Sequence, residues 1–189
     1  MQRGRKMFKH IINQELELRI LEHRHTEVVF AKIDKNRTHL SQWFPWVEKN
    51  KSIEDTCNFI KYELHRFANN NGFSAGIYLN DKYIGNISIH DIDWNIKMTT
   101  IGYWISSDFQ GKGIMTMCCR EVVKYGFEVL NLNKIEIRAR SDNHRSIAIP
   151  ERLGFTREGI LRQVDINQGI YYDHVVYGIL KDEWKSICK

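Results

Sequence analysis

The sequence predicts a mixed α+β domain with part of its sheet parallel, and three observations carry that prediction. Runs of period-two hydrophobicity recur along the chain and alternate with stretches of helical periodicity. Two such runs, 73–79 and 83–90, are joined by Asn80-Asp81-Lys82, which is a hairpin signal. Residues 99–139 read strand, glycine loop, amphipathic helix, strand, a crossover unit that places two strands parallel in one sheet.

The individual elements follow from local patterns. Leu16, Leu18 and Ile20 alternate with Glu17 and Arg19, as in a half-buried strand. Residues 26–44 are helical in pattern but broken, and end in Trp43-Phe44-Pro45-Trp46. Ser52, with Asp55 three residues on, forms a capping-box-like pair. The helix it opens has Ile53, Cys57, Ile60, Leu64 and Phe67 at helical spacing. TTIGYWIS at 99–106 is a further strand, and the glycine loop 110–113 follows. Met115, Cys118, Cys119, Val122, Val123, Phe127 and Leu130 then give the strongest helical period in the chain. That period puts both adjacent cysteines on or beside the buried stripe, as inert core thiols. Ile135, Ile137 and Ala139 alternate with Glu136, Arg138 and Arg140 in another strand. A short helix at 145–153 stops at Gly154, and Pro150 is expected in its first turn, where no internal N–H bond is lost. Strands near 160–166 and 170–180 complete the set.

Composition narrows the class. The chain has 189 residues, 42% of them hydrophobic, with only 2 Pro and 12 Gly, which fits one folded domain over 1–189 rather than a disordered or collagen-like chain. Lys and Arg total 28 against 23 Asp and Glu, a net charge of +5 that suits an anionic cofactor or nucleic acid without demanding either. No apolar run approaches the roughly 18 residues needed to span a bilayer, and no apolar signal core follows the basic start MQRGRKMFKH. Cys57, Cys118, Cys119 and Cys188 contain no CxxC pair, so neither a zinc site nor a disulfide framework is indicated, and reduced thiols in a cytoplasm are expected. His23-Arg24-His25 has no third metal ligand in view.

The chemistry concentrates in Ser107-Asp108-Phe109-Gln110-Gly111-Lys112-Gly113-Ile114-Met115. Free N–H groups at a helix N-terminus and the helix dipole favour an anion there. Gly111 and Gly113 allow close backbone approach to a phosphate, and Lys112 adds charge. The GxxxxGK[ST] pattern of nucleotide hydrolases is absent, and GxGxxG fails because Thr116 stands at its third glycine.

A second constellation, Asn143-His144-Arg145-Ser146 running into Glu151-Arg152-Leu153-Gly154-Phe155, follows the strand at 134–140. Together, the glycine loop and this segment resemble the GNAT superfamily of acetyl-CoA-dependent N-acetyltransferases over nearly the whole chain. Ile101-Gly102-Tyr103-Trp104-Ile105, the Trp-Phe-Pro-Trp segment and Tyr171-Tyr172-Asp173-His174 resemble its RimJ/RimL branch, which acetylates N-terminal amines of ribosomal proteins. The resemblance implies a mostly antiparallel sheet with one splayed parallel pair, flanked by helices. It implies that the backbone of Gln110, Gly111, Lys112, Gly113, Ile114 and Met115 binds the pyrophosphate of coenzyme A. The pantetheine arm would lie beside the strand of Tyr103, Trp104 and Ile105, where a backbone N–H polarises the thioester carbonyl.

Asn143 would bond the pantetheine or nearby backbone, or else cap the short helix. Many GNAT enzymes place a Tyr seven residues after this Asn to protonate the leaving thiolate; here Pro150 stands there, and Ser146 is the residue the RimL-like branch places near the sulfur, its other role being a helix-start hydroxyl. Asp165 occupies the place of the branch's acid near the acceptor amine, with Glu158 as the nearer alternative in sequence. Trp43, Trp46, His90 (with Asp93) and Tyr172 are candidates for the acceptor side. Thr100 replaces a Glu that many RimL-like members carry, which bears on acceptor specificity.

The resulting expectation is an acetyltransferase acting on a primary amine, either a protein N-terminus or a small molecule, by direct attack in a ternary complex and without a metal. Transient contact with a ribosomal protein and a homodimer go with the resemblance; a membrane partner does not. Two other readings stand beside it: a non-catalytic acyl-CoA-binding module, and a basic RNA- or ribosome-associated protein.

Overall fold

The structure, a computed structural model, describes residues 9–187. One eight-stranded sheet runs through it in the order β1-β2-β3-β4-β5-β6-β8-β7. The strands are β1 (Lys9–Ile11), β2 (Leu16–Ile20), β3 (Phe73–Leu79), β4 (Lys82–Ile89), β5 (Met98–Ile105), β6 (Lys134–Arg140), β7 (Thr156–Asn167) and β8 (Ile170–Leu180). The helices are α1 (Thr26–Lys35), α2 (Arg37–Leu40), α3 (Ile53–Ala68), α4 (Ile114–Glu128), α5 (His144–Arg152) and α6 (Lys181–Ile187). Among the described strands only β5 and β6 pair in parallel, the pair the crossover unit requires. The hairpin between β3 and β4 turns through Asn80 and Asp81, both at positive φ, the mirror-image geometry that matches strand twist.

Two apolar clusters sit on opposite faces of the sheet. The larger packs α4, through Cys118, Cys119, Val122, Val123 and Phe127, onto Ile87, Ile101, Ile135 and Ile137. The smaller joins Val29, Ile33, Leu40 and Ile60 from the α1–α3 side to Tyr78 and Tyr83. Cys118 and Cys119 are completely enclosed, and burial pushes the Cys118 thiol up to about 12. The core reading of these two cysteines holds; Cys188 lies outside the described residues.

Several expectations need correction. Ile53 and Phe67 of α3 are exposed, and the buried side of the helix carries Thr56, Ile60, Glu63 and Arg66 instead. Hydrophobic spacing misplaces this face because Arg66 acts as a polar rivet. Its guanidinium pairs with Glu63 at 2.9 Å and Asp91 at 3.0 Å, and donates to the carbonyls of Asn71 and Ile89. The Ser52–Asp55 capping box forms as expected. β7 starts at Thr156, well before residue 160, because two register shifts let the strand bend and continue along β8. β1 and α6 had no sequence signal that separated them from their flanks.

Arg66→Met leaves Glu63 buried without its partner, and should destabilise the protein by about 3–5 kcal/mol in urea titrations. Adding Glu63→Gln should recover part of that loss; a single-variant cost below about 1 kcal/mol would show that the rivet contributes little.

Candidate functional site

β5 changes partners along its length. Its antiparallel ladder with β4 runs from Ile101 to Ile105, whereas its parallel pairing with β6 covers only Met98–Ile101 against Lys134–Ile137. Antiparallel ladders alternate, so alternate residues face opposite neighbours. The N–H of His90 reaches the carbonyl of Thr100, and that of Ser106 reaches Ile84, which fixes the phase. Gly102 and Trp104 therefore bond to β4, while the N–H and C=O groups of Tyr103 and Ile105 face the side where β6 has moved away. β6 pairs with β8 on its other edge throughout, from Lys134 to Arg140, so beyond Ile137 β8 is its one remaining sheet neighbour. A wedge opens between the two strands, lined on one side by unclaimed backbone.

The loop after β5 leads from this wedge to α4. Asn36, at the break between α1 and α2, holds its start: its side-chain oxygen accepts from the Ser106 and Ser107 hydroxyls and from the Ser107 N–H at 3.0–3.2 Å. Gly111 and Gly113 both have positive φ, +71° and +72°, and a Cβ at either would meet no atom within 4 Å. Gly113 caps α4 without any side-chain acceptor, so the first N–H groups of the helix point into open space. The loop thus has the open glycine geometry that a phosphate cradle needs. Lys112 is turned back onto the Asp108 carbonyl at 3.0 Å, beside the Phe109 ring. The Gln110 side chain bridges Arg145, which the sequence places in a motif without a role, and His39, which carries no motif: it accepts from Arg145 at 2.7 Å and meets the His39 ring nitrogen at 2.7 Å.

On the far side of the wedge, α5 begins at Asn143, whose side-chain oxygen accepts from the Ser146 N–H at 3.1 Å; of its two sequence readings, the helix cap is therefore filled. The Ser146 hydroxyl does not cap backbone. It donates to the Tyr103 hydroxyl at 3.3 Å. Pro150 is not in the first turn of α5 but at its seventh residue, which corrects the sequence expectation. A proline there removes the N–H that would bond the carbonyl of Ser146. That carbonyl accepts instead from the Tyr103 hydroxyl at 3.2 Å. Enclosure of the ring raises the Tyr103 pKa well above that of an ordinary phenol.

The opposite sheet face gathers a third group. Arg140, buried at the end of β6, lies 3.3 Å over the Tyr172 ring and 5.1 Å from that of Trp43. It also donates to the Gln42 carbonyl at 2.8 Å and pairs with Asp142. Asn167 donates to the carbonyls of Ser41 and Gln42, so the Trp43–Trp46 segment is tied to both β6 and the β7–β8 hairpin. Asp165 faces His174 at 3.2 Å, and His174 is the register partner of Arg140. Asp165, Tyr172 and Trp43 thus gather around Arg140 and His174. Trp46 is more exposed and stacks on Phe44.

The remaining candidates separate. Glu158 is bound by Lys134 at 2.7 Å, at the closed end of the β5–β6 pair and away from the wedge, so it is not an alternative to Asp165. Asp93 accepts from the N–H groups of Asn95 and Ile96 and shapes a turn rather than an acceptor wall. His90 leans on Gly102 so closely that any side chain there would collide with its ring. Partial burial of the ring, with the Arg66 guanidinium nearby, lowers its pKa. Among the described residues no group of three His, Cys, Asp or Glu side chains could hold a metal, and no helix is long and apolar enough to cross a membrane.

Comparison with known proteins gives the arrangement a context. Residues 15–156 match the family model described as an acetyltransferase (GNAT) domain. YdaF of Bacillus subtilis (strain 168), which carries a ribosomal N-acetyltransferase name, is 36% identical over 181 residues, 95% of this chain and 99% of its own length. The solved structure of RimL, a ribosomal alpha-N-protein acetyltransferase in complex with coenzyme A, superposes with a TM-score of 0.89 at 26% identity, covering 93% of this chain and 99% of that one. The microcin C7 self-immunity acetyltransferase MccE, in complex with acetyl-CoA and AMP, superposes at 0.87 with 28% identity, covering 93% and 97%.

Burial lowers the pKa of His25, His39 and His90. The unfolded chain holds those protons up to about pH 6.5, whereas the folded chain releases them at lower pH. Stability from these groups is therefore full above about pH 6.5 and declines as pH falls through the folded values. The urea midpoint should hold from about pH 7.5 to 6.5 and drop below about pH 6.5, and His39→Gln should reduce that drop; a midpoint that rises as the pH falls just below about 6.5 would contradict the assignment.

Proposed function

The chain belongs to the GNAT acetyltransferase family and is an acetyl-CoA-dependent N-acetyltransferase, and from that premise we propose that it acetylates a protein N-terminal α-amine by direct attack in a ternary complex. The observation that carries this reading is the wedge between β5 and β6, with free backbone on one wall, a phosphate cradle at its mouth and a carboxylate–imidazole pair on the opposite sheet face.

The residues divide the work as follows. The backbone N–H groups of residues 110–115 hold the pyrophosphate, with Arg145 and Lys112 supplying positive charge nearby. Tyr103 and Ile105 offer backbone N–H and C=O groups to the pantetheine amides as a neighbouring strand would, and one of their N–H groups polarises the thioester carbonyl. Trp104, between them, is turned to β4 and only positions the strand. Asn143 sets the start of α5 and so places Ser146 toward the sulfur. Asp165, with His174 beside it, takes the proton of the attacking amine directly or through water. Trp43 and Tyr172, stacked around Arg140, wall the acceptor entrance, with Trp46 at its rim and His90 on the sheet floor behind Gly102.

The acceptor class follows from basicity. A protein α-amine titrates near pH 8, a lysine side chain about 2.5 units higher. A carboxylate and an imidazole are weak bases, matched to the first and poorly to the second. The likeness to RimL, a ribosomal L7/L12 alpha-N-protein acetyltransferase, supports a ribosomal-protein N-terminus as the acceptor. A small-molecule amine is the secondary candidate. We further read residues 1–189 as one acetyltransferase domain, acting in the cytoplasm and able to dimerise. No observation favours a non-catalytic module.

Calorimetry should show acetyl-CoA binding that Gly113→Glu abolishes, because a carboxylate then faces the phosphates; the position has room, but a side chain at φ +72° is strained by about 1–2 kcal/mol, so Gly113→Ala, which carries the same strain without the charge, is the control and should keep most of the affinity. With a peptide bearing a free N-terminus, thiol release should fall about 10²-fold in Asp165→Asn at unchanged acetyl-CoA affinity. Turnover confined to polyamines or lysine side chains would overturn the acceptor proposal.

A further inference from the structure

Tyr103 enters the site by its side chain as well as by its backbone. Its hydroxyl and that of Ser146 lie 3.3 Å apart, and the donors are distributed in one way only. The Tyr103 O–H is given to the Ser146 carbonyl, so its oxygen is left to accept from the Ser146 O–H. This works because the helical donor for that carbonyl would be the N–H of residue 150, and residue 150 is proline. The carbonyl is partly buried and short of its helical donor, which gives the Tyr103 hydroxyl a fixed anchor.

We propose that Tyr103 is a positioning residue for Ser146, its hydroxyl anchored on the carbonyl that Pro150 leaves free and in turn holding the Ser146 hydroxyl beside the β5–β6 wedge. The inference rests on the acetyltransfer reading, in which Ser146 serves the departing sulfur. When the C–S bond of the thioester breaks, its electron pair stays on sulfur. The Ser146 O–H then rotates about its C–O bond from the Tyr103 oxygen to the thiolate, a change of hydrogen-bond partner with no covalent change at either residue. The amine gives up one proton in forming the amide, and the thiolate takes one up, so the overall proton count balances with Ser146 and Tyr103 both neutral throughout. A thiol of ordinary pKa, about 8.5, requires a well-aimed hydrogen bond at that moment more than a strong acid. Enclosure keeps the Tyr103 phenol protonated across the working range, so the anchor does not dissolve as pH rises.

Tyr103→Phe removes the one oxygen and keeps the ring. It should lower kcat about tenfold while leaving the KM for acetyl-CoA within about twofold. Tyr103→Phe combined with Ser146→Ala should be no slower than Ser146→Ala alone, because the anchor has nothing left to hold. A separate cycle needs no acceptor. Pro150→Ala restores the missing N–H, so Tyr103→Phe should lower Tm less in that background than in the wild type. Thiol release by the wild type tests the acetyltransfer reading itself. Full kcat in Tyr103→Phe, losses that multiply in the double variant, or equal Tm losses in the two backgrounds would each overturn the proposal.

Discussion

Beyond Ile101 and Ile137, the parallel strands β5 and β6 no longer pair, although both continue for several residues inside an otherwise continuous sheet. Folded proteins rarely leave such groups unsatisfied, because a buried amide with no partner costs about 1–3 kcal/mol. The wedge therefore asks for an extended ligand with its own amides, and pantetheine has that chemistry. The phosphate cradle stands at the end of the same strand, and Ser146 and Arg140 stand on the helix and strand that diverge from it.

What keeps the wedge open is a set of polar tethers rather than apolar packing. Asn36 pins the start of the cradle to the α1–α2 break. Arg140 fastens the end of β6 to the Trp43 segment and to Tyr172. Tyr103 meets Ser146 across the opening. Each tether uses a group that regular secondary structure would have claimed or excluded: an asparagine between helices, a buried arginine at a strand end, a carbonyl freed by proline. Below them the hydrophobic clusters on the two faces supply the stability that permits these departures.

The same distinction explains what could be read from the sequence. The helices with apolar periods, the β3–β4 hairpin and the crossover unit are legible because each is local. The loop is legible as a candidate cradle because Gly111 and Gly113 stand directly before the strongest helical period and are paired with the 143–155 segment; two glycines before a helix are a weak signal alone. The role of Pro150 is misjudged from sequence, since its effect depends on where α5 begins, and that is set by Asn143. The buried side of α3 is misjudged because Glu63 and Arg66 satisfy one another only in three dimensions. Arg145 and His174 fall inside segments that carry the resemblance but receive no role of their own, and Arg140 reads only as one residue of an alternating strand: such a pattern is the same whether these residues face solvent or a site. Register, which sets Asp165 against His174 and draws Glu158 away to Lys134, is a property of paired strands rather than of either one.

The central claim is that the wedge holds unpaired backbone that acetyl-CoA completes. Residue-resolved amide hydrogen exchange measures this directly. In the free protein, the amides of Gly102 and Trp104 should exchange slowly and those of Tyr103 and Ile105 quickly. Saturating acetyl-CoA should slow Tyr103 and Ile105 by about tenfold or more and leave Gly102 and Trp104 unchanged. If Tyr103 and Ile105 were already as protected as Trp104, or if acetyl-CoA bound without slowing them, the wedge would not be the seat of the cofactor and the claim would fail.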